Sequence, residues 1–130
     1  MHLKVLLLAA ALAPFASGLA AAQSLSPMRA EGDTPSEVKG FRLLIGNPYR
    51  QKMVFRVLPM DPGFRVGAAD ATVNFPELTL APGRSRQVIV SFRIGPAMKE
   101  RTIGVCVQPK AIEGMVMPRV CGTYTGRRRG

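Results

Sequence analysis

Hydrophobic and polar residues alternate in short runs along most of the chain. Val88, Val90, Phe92 and Ile94 share one parity against Ile89, Ser91 and Arg93, which puts one face of a strand on a core and the other toward water. Met53, Phe55 and Val57 repeat the pattern around Arg56, and Phe41, Leu43 and Ile45 repeat it around Arg42, with Leu44 interrupting the polar face. Turn formers separate the runs: Asn47-Pro48, Asp61-Pro62-Gly63 and Pro82-Gly83, the last suited to a type II turn. The pattern predicts strands over residues 25–30, 38–45, 52–58, 72–75, 77–80, 87–94, 102–107 and 117–125, a loop from Asp61 to Asp70, and no helix after residue 22. Short β-branched strands punctuated this often are the signature of an all-β sandwich, here of seven or eight strands.

Residues 1–22 follow a different rule. Lys4, the apolar run Val5 to Ala13 and the closing Ala20-Ala21-Ala22 have the order of a secretory signal peptide, with cleavage expected before Gln23. A membrane anchor competes with this reading, because Val5 to Ala22 is about 18 residues long and a span needs about 20. Pro14 and the alanine-rich end favour cleavage. The expected organisation is a signal peptide (1–22), one sandwich domain (23–126) and a basic C-terminal tail (127–130), in a periplasmic or secreted protein.

In an oxidising compartment the two cysteines, Cys106 and Cys121, are most simply one disulfide; two free buried thiols are the alternative. Strand parity sharpens this expectation. Ile103, Val105 and Val107 share one face and Cys106 the other, while on the last strand Val120 and Tyr124 oppose Arg119, Cys121, Thr123 and Thr125. Setting Cys106 opposite Cys121 brings Val105 against Gly122 and Ile103 against Tyr124, which keeps every apolar partner on the core side and both cysteines on the polar side. The Cα atoms of the pair should then lie within about 7 Å.

Composition narrows the chemistry. At 130 residues the chain has room for one domain, and 18 Lys and Arg against 8 Asp and Glu give it a formal charge of +10. The single histidine, His2, belongs to the leader, so histidine triads, histidine general bases and histidine metal sites are excluded from the exported part. Two cysteines alone do not build a tetrahedral zinc site. The carboxylates are scattered, mostly in loops, and no nucleophile stands beside a base. We therefore expect no catalytic residue, no metal and no cofactor, and a protein that binds rather than reacts. Arg127-Arg128-Arg129 reads first as a mobile solvated tail, and otherwise as a ligand for phosphate oxygens or an acidic partner. Six Phe, two Tyr and no Trp provide few stacking platforms, so no specific nucleic acid is expected, and contact with an anionic envelope surface would be weak.

Three stretches together resemble a known family. The first strand Leu25-Ser26-Pro27-Met28-Arg29, the second running from Phe41 through Ile45 into Gly46-Asn47-Pro48, and Pro76 to Gly83 leading into Gln87 to Phe92 are similar to the immunoglobulin-like, PapD-like domain of pilus-assembly chaperones. The resemblance covers most of residues 25–125. It implies a periplasmic protein that binds incomplete pilin subunits and supplies their missing strand, a case of β-strand addition. In that family an arginine on the first strand and a lysine near the last anchor the subunit's terminal carboxylate. Arg29 matches the first; the final strand has no lysine, and Arg119 is its substitute at disulfide-face parity. Ile112, Met115 and Met117 would be the apolar residues of a donor strand, or else a hairpin loop whose methionines close over the end of the core.

Family chaperones carry two such domains, so the expectation here is a single-domain relative: a chaperone-like protein-binding module of pilus or surface-fibre assembly, with secreted fibre or pilin-like subunits as partners. The alternative is a structural envelope protein that uses the sandwich as a scaffold and its basic surface on anionic polymers. A fibre subunit itself would lack its last strand, which the cysteine hairpin supplies.

Overall fold

The computed structural model describes residues 23–110 and 118–129. Its strands are β1 (Ser24–Ser26), β2 (Arg29–Thr34), β3 (Val38–Gly46), β4 (Met53–Met60), β5 (Ala71–Val73), β6 (Glu77–Leu80), β7 (Ser85–Arg93), β8 (Glu100–Pro109) and β9 (Val120–Arg128), with no helix among the described residues. They form a four-stranded sheet, β1-β3-β7-β5, and a five-stranded sheet, β2-β9-β8-β4-β6. Every pairing is antiparallel except β2 with β9.

The sheets meet on the faces that alternation assigned to the core. Leu43, Ile45, Val88, Val90 and Phe92 from one sheet pack against Phe55, Val57, Ile103, Val105, Val107 and Tyr124 from the other. Burying apolar side chains of this size stabilises a fold by about 1.5–3 kcal/mol each, so this layer is the main source of stability. The turns are built as their residues suggest. Asn47 turns its side-chain amide onto the carbonyls of Gln51 (3.0 Å) and Leu80 (2.8 Å), and Gly83 takes the left-handed conformation at φ 69°.

Three expectations are corrected. The strand expected over residues 25–30 is two strands, which makes nine among the described residues. β1 pairs with β3 in one sheet, the chain crosses at Pro27, whose nitrogen has no hydrogen to donate to a ladder, and β2 joins the other sheet beside β9. The Tyr124 hydroxyl donates to the Pro27 carbonyl oxygen at 2.6 Å and pins this crossing; burial pushes its pKa up to about 12.

The second correction concerns the basic tail. β9 runs on through Arg128, with Arg127 opposite Asp33 and Arg128 opposite Thr34 on β2. Arg127 pairs with Glu100 (2.8 Å) and Glu31 (3.3 Å), and Arg129 pairs with Asp33 (2.9 Å). Exposed pairs of this kind contribute little singly, and the parallel ladder with β2 is what orders the segment.

The third concerns the cysteines. The expected register holds throughout: Cys106 faces Cys121, Val105 faces Gly122 and Ile103 faces Tyr124. The two cysteines are disulfide-bonded, with Cα atoms 4.1 Å apart. Their face, however, is not wet at that point, and Cys106 is fully buried. Leu58 lies opposite it on β4, and Phe64 of the β4–β5 loop covers Gly104 two residues away.

Candidate functional site

The first and last strands together leave one edge of the five-stranded sheet incomplete. β2 pairs with β9 only from Thr123 onward, where the Thr123 amide donates to the Met28 carbonyl at 2.9 Å. Residues Val120, Cys121 and Gly122 are paired with β8 on one side and, among the described residues, have no ladder on the other. An open ladder edge is a template for another strand. Met28 flanks it at 51% exposure.

Gln23 closes the start of this edge. Its Nε2 donates to the carbonyl oxygens of Val107 (2.5 Å) and Pro118 (2.9 Å), and its Oε1 accepts from the Tyr49 hydroxyl at 3.4 Å. Gln23 is 2% exposed yet fully bonded, so it ties the loop end of the β8–β9 hairpin to the beginning of β1. Nothing in the sequence marks this role, because an amide that reaches more than eighty residues along the chain leaves no local pattern.

The expected partner-binding residues fall in different places. Arg29 is exposed at the start of β2, level with Thr123 and one residue beyond Met28, beside the open edge. Arg119 has the expected parity, but its Nη2 donates to the Phe64 carbonyl oxygen at 2.7 Å, so it holds the β4–β5 loop. Arg119 precedes β9 and is four positions from Thr123, about 13 Å along an extended chain, and the structure does not join the two arginines in one clamp. Ile112, Met115 and Met117 lie outside the described residues. Arg127, Arg128 and Arg129 stand at the far end of β9, among carboxylates.

The β4–β5 loop that Arg119 holds is organised by Asp61. Its Oδ1 accepts from the amides of Val66 (2.9 Å) and Arg65 (2.6 Å), and its Oδ2 accepts from Gly63 (3.2 Å). These bonds, Val66 and Arg65 first, hold the carboxyl below its ordinary value of 3.8. Because the folded value is depressed, the ties are at full strength above pH 3.8 and are lost as pH falls through the lower folded value. The amide resonances of Arg65 and Val66 should therefore titrate together with a midpoint below 3.8, and Asp61→Asn should abolish the titration. A midpoint at or above 3.8 would contradict this account of the loop.

Among the described residues no group of three or more His, Cys, Asp or Glu side chains is placed to hold a metal ion. No family model matches the chain, and no curated protein matches it. Solved structures do. The chaperone DraB of E. coli superposes with a TM-score of 0.65 at 17% identity, over 82% of this chain and 55% of DraB. The SafB chaperone, solved with the SafA pilin of Salmonella enterica, superposes equally well at 17% identity, over 82% of this chain and 54% of that one. The fold is PapD-like.

The chain spans about half the length of the chaperones it matches. A PapD-like domain of human CEP192 is matched over 84% of its own length, with a TM-score of 0.60 and 13% identity. At these identities the likeness is one of fold. The PapD-like sandwich thus appears both in pilus chaperones and in a domain of CEP192.

Proposed function

We propose that this protein is a periplasmic chaperone-like module of pilus or surface-fibre assembly that binds secreted fibre subunits by β-strand addition. The observation that carries the reading is the edge of Val120 to Gly122, without a ladder partner among the described residues and set beside exposed Met28 and Arg29 in a sandwich with the fold of pilus chaperones. A subunit strand laid along this edge would find backbone donors and acceptors from β9, an apolar contact at Met28 and a guanidinium at Arg29 for a terminal carboxylate. Ile112, Met115 and Met117, in the segment leading into β9, would supply the alternating apolar contacts, and the disulfide would hold the edge in register.

The excess of basic side chains, 18 Lys and Arg against 8 Asp and Glu, favours a second reading, a structural envelope module whose surface contacts anionic polymers. Salt and one substitution separate the two. Tagged protein should capture small secreted fibre-like subunits from the native periplasm and retain them through a high-salt wash. Arg29→Ala should stay folded and lose about tenfold in capture, the scale of one hydrogen bond to a charged group. Equal capture by Arg29→Ala removes Arg29 from the site, and a salt-labile or empty eluate moves the assignment to the envelope module.

A further inference from the structure

The carboxylates of the described residues are crowded toward one end of the sandwich. Glu31, Asp33, Glu37 and Glu100 stand where β9 ends, ion-paired with Arg93, Arg127, Arg128 and Arg129. Asp61 and Asp70 bound the β4–β5 loop at the same end. Glu77 alone lies nearer the opposite end, and there it pairs with Lys110 at 3.3 Å.

That opposite end is built from two joined turns. The Asn47 amide donates to the Arg84 carbonyl (2.9 Å) and the Gly83 amide to the Asn47 carbonyl (2.8 Å), so the β3–β4 loop and the β6–β7 turn form one surface. Arg50 and Lys52 project from the loop and Arg84 from the turn, while Arg86 lies over the Phe75 ring at 4.0 Å. All four are exposed, and none has a carboxylate partner among the described residues. Three cations on two joined turns and a fourth at the start of β7, none paired among the described residues, make a concentrated positive field, whereas the charges at the other end largely cancel.

The same end is where the described chain begins. Ser24 sits opposite Gly46, and Gln23 is bonded to the Val107 and Pro118 carbonyls. The sequence upstream of Gln23 contains the apolar run Val5 to Ala13. Whenever that run occupies a bilayer, before processing or as an anchor, the chain enters the domain at its basic end. The geometry points to this end as a membrane-docking surface, with Arg50, Lys52, Arg84 and Arg86 binding the phosphates of anionic lipid headgroups. Guanidinium forks suit phosphate oxygens, and a basic residue near an anionic bilayer strengthens binding about fivefold. The inference does not depend on client binding.

The test uses the protein as its host exports it, sedimented with vesicles of phosphatidylethanolamine containing a minority of phosphatidylglycerol, and with phosphatidylcholine vesicles as the neutral surface. We expect binding to the anionic vesicles alone, released by moderate salt. Arg50→Gln, Lys52→Gln and Arg84→Gln together should weaken it by about 100-fold. Arg65→Gln, Lys99→Gln and Arg129→Gln, an equal loss of charge at the acidic end, should change it by less than about threefold, because those sites lie beyond the screening length. If the first variant fails a circular dichroism check, Arg84→Gln alone, in an exposed turn, should lose about fivefold. Equal losses in the two triple variants would mean that net charge rather than this surface binds. Release by inorganic phosphate alone would mean a small-anion site, and retention on phosphatidylcholine an apolar contact. Each of these results, like an absence of binding, overturns the proposal.

Discussion

Replacing Gly122 by alanine is expected to lower the stability of the domain by about 3 kcal/mol, at the upper end of the usual cost of overpacking. A Cβ at this position would stand 2.5 Å from the Tyr124 hydroxyl oxygen and 2.6 Å from the Met28 carbonyl oxygen. Neither neighbour can give way freely. The Tyr124 hydroxyl is held by its bond to the Pro27 carbonyl, and the Met28 carbonyl accepts the first amide of the β2–β9 ladder. Relieving the clash would break the crossing between sheets or the start of the parallel pairing. Urea midpoints of Gly122→Ala and wild type measure the cost, with Gly67→Ala as the control, since no atom lies within 4 Å of a Cβ there. The control should stay within about 0.5 kcal/mol of wild type. A Gly122→Ala protein as stable as the control would show that the crossing is not a tight contact.

Removing the disulfide is expected to cost a similar amount. The Cys106→Ala, Cys121→Ala double variant frees a loop with a sequence separation of 15 residues, for which the chain-entropy estimate is about 3 kcal/mol. Domains of this kind are stable by only about 5–15 kcal/mol in total, so the variant should unfold at a markedly lower urea concentration. Wild type held in reductant should unfold alongside it. The effect is large because the bond joins β8 and β9, and β9 is also the strand on which β2 docks. A loss below about 1 kcal/mol would mean that the ladder and the Gln23 tie already fix the hairpin in the unbridged chain.

The face assignments of β3, β4, β7, β8 and β9 were legible because alternation with period two depends only on neighbouring residues. The cysteine register was legible for a related reason: one covalent pair, with apolar residues on the opposite parity, leaves a single alignment that keeps the core side apolar. What local pattern did not contain is the long-range pairing. Residues 25–30 carry no signal that β1 belongs with β3 while β2 belongs with β9, apart from Pro27 itself.

The three C-terminal arginines looked like an isolated charge run because their partners sit on other strands. A signal existed all the same: Glu31 and Asp33 are two residues apart, as are Arg127 and Arg129, which is the spacing of one face of two adjacent strands. Within the candidate site, parity placed Arg119 on the last strand, whereas it stands just before β9 and its partner is a loop carbonyl that no local pattern marks. The charge separation between the two ends was equally hidden, since basic residues are spread along the whole chain and only folding gathers most of the described carboxylates at one end.

The parallel pairing of β2 with β9 has a consequence for how the molecule comes into being. Arg29 is level with Thr123 and Thr34 with Arg128, so the five-stranded sheet joins residues from the two extremes of the folded domain. Contacts so distant along a chain make folding slow, because the intervening segment must be ordered before they form. A chain synthesised from its N-terminus has β1 and β2 available long before β9 is made. Until Thr123 to Arg128 are in place, β2 has no strand to pair with, and the five-stranded sheet stays short of one member.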